Sequence, residues 1–217
     1  MNSQTPQIFK YNYKNITISG LPGSGSTTLL DMLREELKLD GWHGFSGGEF
    51  MLAYAAEKGL FDNSKRVHHD ASHYEDDFDR QVDFGMREKL QEEENWILES
   101  WLSGFMAQQV PGTLKVLMTC NEDAIRIDRI VNRDQISIEE AKEHLMGRYK
   151  TNLKTWSKLY AKEWQEWVVD KGTLSAESPI DFWHPDLYDL VIDTYSSTKK
   201  ATKEIVLNAL KEKKSTS

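Results

Sequence analysis

A single cysteine, Cys120, stands among 217 residues, so the chain forms no internal disulfide and no metal cluster from thiolates alone. Long apolar runs are also missing. The longest, FMLAYAA from Phe50 to Ala56, falls far short of the roughly 20 residues that cross a bilayer, so no membrane partner is expected. The first residues, MNSQTPQIFKYNYKN, lack the apolar segment of a secretory signal, and a cytoplasmic protein is expected. Positive charge is in deficit: 27 basic against 35 acidic side chains leave a formal net charge of −8. A surface that acidic repels a phosphate backbone unless one face is locally basic, which argues against nucleic acid as a partner. No internal repeat or low-complexity stretch occurs, apart from the lysine-rich last turn and polar tail KEKKSTS. What is present, 39% apolar and 29% charged residues, suits one soluble globular domain long enough to bury a core. Aromatics are generous, with Trp 7, Tyr 8 and Phe 8.

Periodicity predicts an alternation of strands and helices. Residues 15–19 (NITIS), a short stretch at 42–45, 96–99 (WILE), 114–119 (LKVLMT) and 188–193 (YDLVID) read as strands. Residues 27–38, 47–58, 74–94, 123–132 and 200–211 read as helices, and 61–72 as a polar loop or short helix. Ser137 and Glu140 form a capping box, in which hydroxyl and carboxylate satisfy free amides at a helix start. The helix it opens extends toward Trp167, a length that needs a break or a packing partner. Such alternation predicts an α/β domain with a parallel sheet covered on both faces.

Between the first strand and its helix lies Gly20-Leu21-Pro22-Gly23-Ser24-Gly25-Ser26-Thr27-Thr28. Strand, glycine-rich loop and helix N-terminus together aim backbone N–H groups and the positive end of the helix dipole at one point. That is the phosphate cradle of the pattern G-x-x-x-x-G-K-[ST]. Gly20 and Gly25 occupy its glycines, and Thr27 the hydroxyl position that binds Mg²⁺. Pro22, Gly23, Ser24 and Thr28 complete the wall that would hold ATP phosphates. The lysine is missing, with Ser26 in its place, so a hydrogen bond replaces a charge that normally reaches the β/γ phosphates. Either arginines from elsewhere substitute, or turnover is poor, or the protein binds without catalysis. A glycine-rich turn with a serine cap and no ligand is the plainer alternative.

The run ITISGLPGSGSTT, then SGGEF, WILES, RIDRIVNRDQISIEEA and YDLVIDT, resembles the cytidylate kinase-like family, in its archaeal-type branch, of the P-loop nucleoside monophosphate kinases. The resemblance covers about residues 15–210. Members of that branch often carry a small hydroxyl residue at the lysine position. The resemblance implies a P-loop NTPase three-layer sandwich: a five-stranded parallel sheet, helices on both faces and a helical lid. It implies one kinase domain over 1–217, with an acceptor-binding region at about 46–94 and a lid and long helical region at about 126–167. The implied reaction moves the γ-phosphoryl of ATP, with Mg²⁺, to CMP or dCMP.

The family's Ser-x-Gly-Glu segment matches Ser46, Gly48 and Glu49, which is equally a helix capping box. An acceptor-binding arginine is expected three residues on, where Leu52 stands, and another in a strand-end Glu-Gly-Arg. Here Glu99 is kept, while Ser100 and Trp101 replace the other two. Bidentate arginines are among the strongest phosphate contacts, so a leucine and an indole in their place imply an apolar pocket suited to a ring or a neutral acceptor. Compensation by Lys65 and Arg66 is the alternative.

Arg126, Arg129 and Arg133, at i, i+3 and i+7, share a helix face, with Arg148 further on. Pointed at a triphosphate, they would stabilise charge in the transition state and replace the absent lysine. Paired with Asp123, Asp128 and Glu139, they would be an ordinary solvated face. Glu99 is a candidate to hold the Mg²⁺ shell through water. Asp79 and Asp83 match acidic family positions, or are exposed in an acidic helix. His68, His69, Asp70 and His73 offer H-x-x-x-H spacing without the glutamate or the third ligand of a zinc site. Asp186 and Asp189 cap and close the last strand, and Trp156, Trp164 and Trp167 mark a helical stripe that packs in a core or on a partner, leaving monomer and homodimer both open. The reading is ATP-dependent phosphoryl transfer to a small-molecule nucleotide, CMP or dCMP. A different small acceptor, or catalytically weak nucleotide binding, is the alternative.

Overall fold

A computed structural model describes residues 11–57 and 76–211. The central strand, β1 (Asn15–Gly20), carries β-branched Ile16, Thr17 and Ile18 and is buried along its whole length. β2 (His43–Ser46), β3 (Trp96–Glu99), β4 (Thr113–Thr119) and β5 (Leu190–Asp193) complete a five-stranded sheet in the order β2-β3-β1-β4-β5. All its pairs are parallel. The register sets Ile18 beside Glu99, Gly20 beside Met118 and Thr119 beside Asp193, so these strands end along one edge. The loop after β1 therefore opens where connections depart to both sides, the place where open α/β sheets bind ligands.

One face of the sheet is covered by α1 (Ser26–Leu37) and α8 (Lys199–Lys211), whose Leu29, Leu30, Leu33, Val206 and Leu210 join Ile16, Ile18 and Val116 in one core. α2 (Gly47–Glu57) follows β2. The opposite face packs α3 (Asp76–Glu92), through Val82, Met86 and Leu90, and the short α4 (Ser103–Met106). The expected fold class, a P-loop three-layer α/β sandwich, is the one found. α4 escaped sequence reading because four residues show no period.

α5 (Asp123–Asp134) and α6 (Ile138–Leu159) form a hairpin around Ile130, Ala141 and Leu145. The capping box that opens α6 is present: Ser137 N–H donates to Glu140 Oε2 at 2.9 Å and Glu140 N–H to Ser137 Oγ at 3.2 Å. The long helix breaks at Tyr160, short of Trp167. α7 (Ala161–Trp164) and a wide turn over Gln165–Val169 follow. Burial explains the break, since it turns Tyr160 and Trp164 into a cluster with Phe105, Phe182 and Trp183. Trp156 and Trp167 pack against that cluster, so the tryptophan stripe is core. β5 starts later than expected because residues 185–187 form a 3₁₀ turn and the Tyr188 hydroxyl donates to Phe182 O at 2.7 Å. Asp189 accepts from Lys115 N–H at 2.9 Å, closing β5 against β4, while Asp186 lies 3.8 Å from His184. Among the described residues no helix is long and apolar enough to cross a membrane.

Candidate active site

The loop wall is built from backbone. Gly23 (φ 79°) and Gly25 (φ 90°) take left-handed conformations that other residues resist. A Cβ on Gly23 would fall 2.7 Å from Arg126 O, so α5 presses directly on the loop. Gly25 caps α1 without a side-chain hydrogen bond, and no acidic residue occupies the first turn. The amides at the start of α1 are thus left without a capping side chain and with the dipole's positive end beside them. They border a cavity of about 610 Å³ whose lining includes Gly23, Gly25, Ser26, Thr27 and Thr28. That volume falls in the range that holds small ligands. Ser24 is buried and its hydroxyl has no partner, while its N–H donates to Leu21 O at 3.0 Å. Pro22 lines the same wall.

Ser26, at the lysine position, is buried and donates to Glu99 Oε1 at 2.6 Å. Its hydroxyl is directed at the end of β3. Burial pushes the Glu99 carboxyl above its ordinary range, opposed by the Ser26 hydroxyl and by the charge on Arg133. Glu99 and the exposed Thr27 line the same cavity, a hydroxyl and a carboxylate fit for a hydrated hard cation.

The four predicted arginines divide into two kinds. Arg126 donates to Pro22 O at 3.2 Å and to Asp123 at 3.2 Å, and does not line the cavity. Arg129 lines it, but its guanidinium donates to Gly23 O at 2.9 Å, to Thr194 Oγ1 at 2.7 Å and to Thr194 O at 3.0 Å. These two clamp α5 onto the loop. Arg133 lines the cavity with 60% of its side chain exposed, and its Nε donates to Asp134 at 2.6 Å. Arg148 lines it from α6, its guanidinium carbon 5.7 Å from the centroid of the Trp101 ring. Arg126 pairs with Asp123, but its side chain is only 14% exposed, so the solvated-face alternative does not describe it; the exposed, aspartate-paired arginine of the stripe is Arg133, with Asp134.

The acceptor candidates are more scattered. Ser46 and Glu49 form a capping box at the start of α2, with Ser46 N–H donating to Glu49 Oε2 at 2.8 Å. Arg34 donates to the same carboxylate at 2.5 Å and holds it below its ordinary pKa range. Ser46, Gly48 and Glu49 are absent from the cavity lining. Leu52 is 38% exposed and, unlike Trp101, does not line this cavity. Asp83 accepts from the Tyr160 hydroxyl at 2.5 Å, beside the Arg80–Glu163 ion pair, and it too lies outside the cavity lining, as does Asp79. Burial raises the Asp83 carboxyl to about 7. Lys65, Arg66 and the histidines 68, 69 and 73 with Asp70 lie outside the described residues. Among those described, no group of three His, Cys, Asp or Glu could hold a metal ion.

The turn after β5 supplies a wall that sequence reading missed. Thr194, Ser197, Lys199 and Thr202 line the cavity, and the Thr194 hydroxyl also bonds Ser24 O at 2.9 Å. The one available signal was the hydroxyl-rich run YSSTKK directly after a strand end.

A family model described as an AAA domain matches residues 16–148. The cytidylate kinase of Methanosarcina barkeri is 32% identical over 182 residues, covering 82% of this chain and 86% of that protein. This chain belongs to the cytidylate kinase-like family of the P-loop nucleoside monophosphate kinases. The cytidylate kinase of Methanopyrus kandleri is also 32% identical, over 204 residues, 90% of this chain and 92% of its own. Among solved structures, an uncharacterized protein from Eubacterium ventriosum aligns with a TM-score of 0.62 at 12% identity, covering 92% of this chain and 99% of that one. That last likeness speaks to fold alone. Family membership makes the chain a nucleoside monophosphate kinase-like phosphotransferase, and kinases of this kind generally use ATP and Mg²⁺.

Proposed function

We propose that this kinase-family member transfers the γ-phosphoryl group of ATP to CMP or dCMP. One observation carries the reading: Arg129, Arg133 and Arg148 line the same cavity as the uncapped amides of Ser26–Thr28 and the carboxylate of Glu99. In this reading the Gly20–Thr28 backbone holds the donor's phosphates, which fits amides that have no other cap. Thr27 and Glu99 would hold Mg²⁺, which supplies neutralisation of charge on the β- and γ-phosphates. Because phosphoryl transfer needs positioning and charge stabilisation more than covalent help, the serine at position 26 leaves a deficit that arginines can meet. Arg133, Arg148 and Lys199 line the cavity as cations for it, with the two arginines on the helical wall, while Arg129 holds the loop. The acceptor-binding region at about 46–94 and the lid at about 126–167 belong to the same proposal. It places the work in the cytoplasm with no nucleic acid partner, and leaves the monomer and the homodimer as the two assemblies to weigh.

Trp101 on the cavity wall favours a second reading, a neutral small acceptor in place of a monophosphate. ADP release measured over a panel of nucleoside monophosphates, nucleosides and small alcohols separates the two. Stimulation by CMP and dCMP above the rest is the expected outcome. Stimulation by a neutral compound alone would establish the second reading, and ATP-Mg binding with no stimulation at all would leave a nucleotide-binding protein without useful turnover.

A further inference from the structure

Trp101 stands where the family resemblance expects a phosphate-binding arginine, yet its surroundings do not make a neutral pocket. The indole is fixed from two sides. Its ring meets the edge of Trp156 at 5.7 Å and of Trp183 at 6.1 Å, and its backbone carbonyl accepts from Trp183 Nε1 at 3.0 Å. Arg148 lies over the same ring, two helical turns before Trp156 on α6, and Tyr149 beside it packs on Trp183 at 5.4 Å. α6 is therefore anchored to this indole at two points. Of the other arginines, Arg126 pairs with Asp123 and Arg129 with the loop and Thr194, while Arg133, paired with Asp134 and 60% exposed, is the cation assigned above to the transferred group. Among the described residues no carboxylate lies within ion-pair distance of Arg148; its guanidinium faces the indole, and the Asp134 carboxylate feels its charge from further away. A cation on an aromatic face keeps its charge and donors available to an anion.

Position decides which anion. Arg129 closes the β5 side of the loop by bridging Gly23 and Thr194. Trp101 follows β3, on the other side of β1, close in sequence to Glu99. A second phosphate approaching the loop end must come from this β3 side, where Arg148 is held.

We propose that Trp101 is a positioning residue that holds Arg148 as the cation for the acceptor's monophosphate, so that a helix-borne arginine replaces the strand-end arginine. This rests on the kinase reading above, and it assigns the acceptor class as phosphorylated rather than neutral.

The test measures CMP affinity by calorimetry without ATP, and KM for CMP and for ATP in turnover. The variants are Arg148→Gln, Trp101→Leu, Trp101→Phe and the pairs of Arg148→Gln with Trp101→Leu and with Trp101→Arg, with thermal unfolding followed throughout. A charge-assisted phosphate contact makes Arg148→Gln weaken CMP about 10- to 100-fold while leaving ATP within about twofold. Trp101→Leu weakens CMP by roughly threefold to tenfold and Trp101→Phe by less, as expected of a cation–π contact. In the Arg148→Gln background Trp101→Leu adds nothing further, whereas Trp101→Arg restores CMP affinity, a rescue that a purely structural tryptophan does not give. Should Trp101→Leu fail to fold, that rescue carries the test. Unchanged CMP binding in Arg148→Gln, no CMP binding by the unmodified protein, or no rescue overturns the proposal. CMP binding that falls as described without any CMP-dependent ADP release overturns the kinase reading and leaves the placement of Arg148 standing.

Discussion

The loop wall of the cavity carries no side-chain cation, whereas the wall formed by α5 and α6 carries Arg129, Arg133 and Arg148. The loop offers only amides, fixed by the left-handed backbone at Gly23 and Gly25 and by the pressure of α5 on Gly23. The helical wall offers full charges on long side chains, each placed by a weaker device: an aspartate for Arg133, an indole for Arg148. In the usual P-loop a lysine joins the two functions in one rigid segment. Here they are separated, and Ser26 is turned to Glu99 instead. On the proposed function, phosphate binding would depend on the loop, and charge for the transfer step on how α6 is packed.

Breaking the loop wall has the largest expected effect. Gly23→Ala places a Cβ in contact with the Arg126 backbone in a conformation that L-residues resist, so ATP-Mg affinity falls more than about 100-fold and the thermal shift given by ATP-Mg disappears. Retained ATP affinity would show that the loop is not the donor site. Arg129→Ala acts on the joint between the two walls. It removes a charged donor from Gly23 O and Thr194, and unfolding in urea is expected to show a loss of about 2 kcal/mol, together with weaker ATP binding. A change in turnover with no change in stability would assign Arg129 to the reacting phosphates alone.

The smallest effect concerns the foot of the helical wall, where the Tyr160 hydroxyl at the end of α6 donates to Asp83. The Asp83 carboxyl is raised from its ordinary 3.8 to about 7 in the folded protein, mainly by burial. Between those values the native state holds the proton and the unfolded chain does not. The stability from this group is fully present below the unfolded value and is lost as pH rises through about 7. One proton of difference gives a slope of at most ~1.4 kcal/mol per pH unit. Asp83→Asn should remove that slope from urea titrations between about pH 4 and pH 7. An identical slope in the variant would show that Asp83 does not set it.

Much of this was legible in the chain itself. Gly20 through Thr28 between a β-branched strand and a helical stripe marked the loop that borders the cavity, and Ser137 with Glu140 marked the start of α6, because both are local patterns. The arginine stripe was legible as a face, but not its division into clamps and cations, which depends on where Pro22, Gly23 and Thr194 come to lie. Burial of Tyr160 and Trp164 among Phe105, Phe182 and Trp183 broke a helix that periodicity would have continued. Leu52 and Trp101 were read together, yet only Trp101 lines the cavity. Leu52 is exposed on α2, while Trp101 meets a helix distant in sequence, a contact no local pattern encodes. The Thr194–Lys199 wall was hidden for the same reason.

The most direct test of the account is turnover in Arg133→Ala. This side chain is 60% exposed and engaged only at Asp134 among the described hydrogen bonds, so its removal should leave folding intact. If the helical wall supplies the charge that the loop lacks, kcat with ATP-Mg and CMP falls about 10²- to 10³-fold while the melting temperature and ATP affinity stay near those of the unmodified protein. A kcat within twofold of the unmodified protein would contradict the account, since the transferred group would then be stabilised without this arginine.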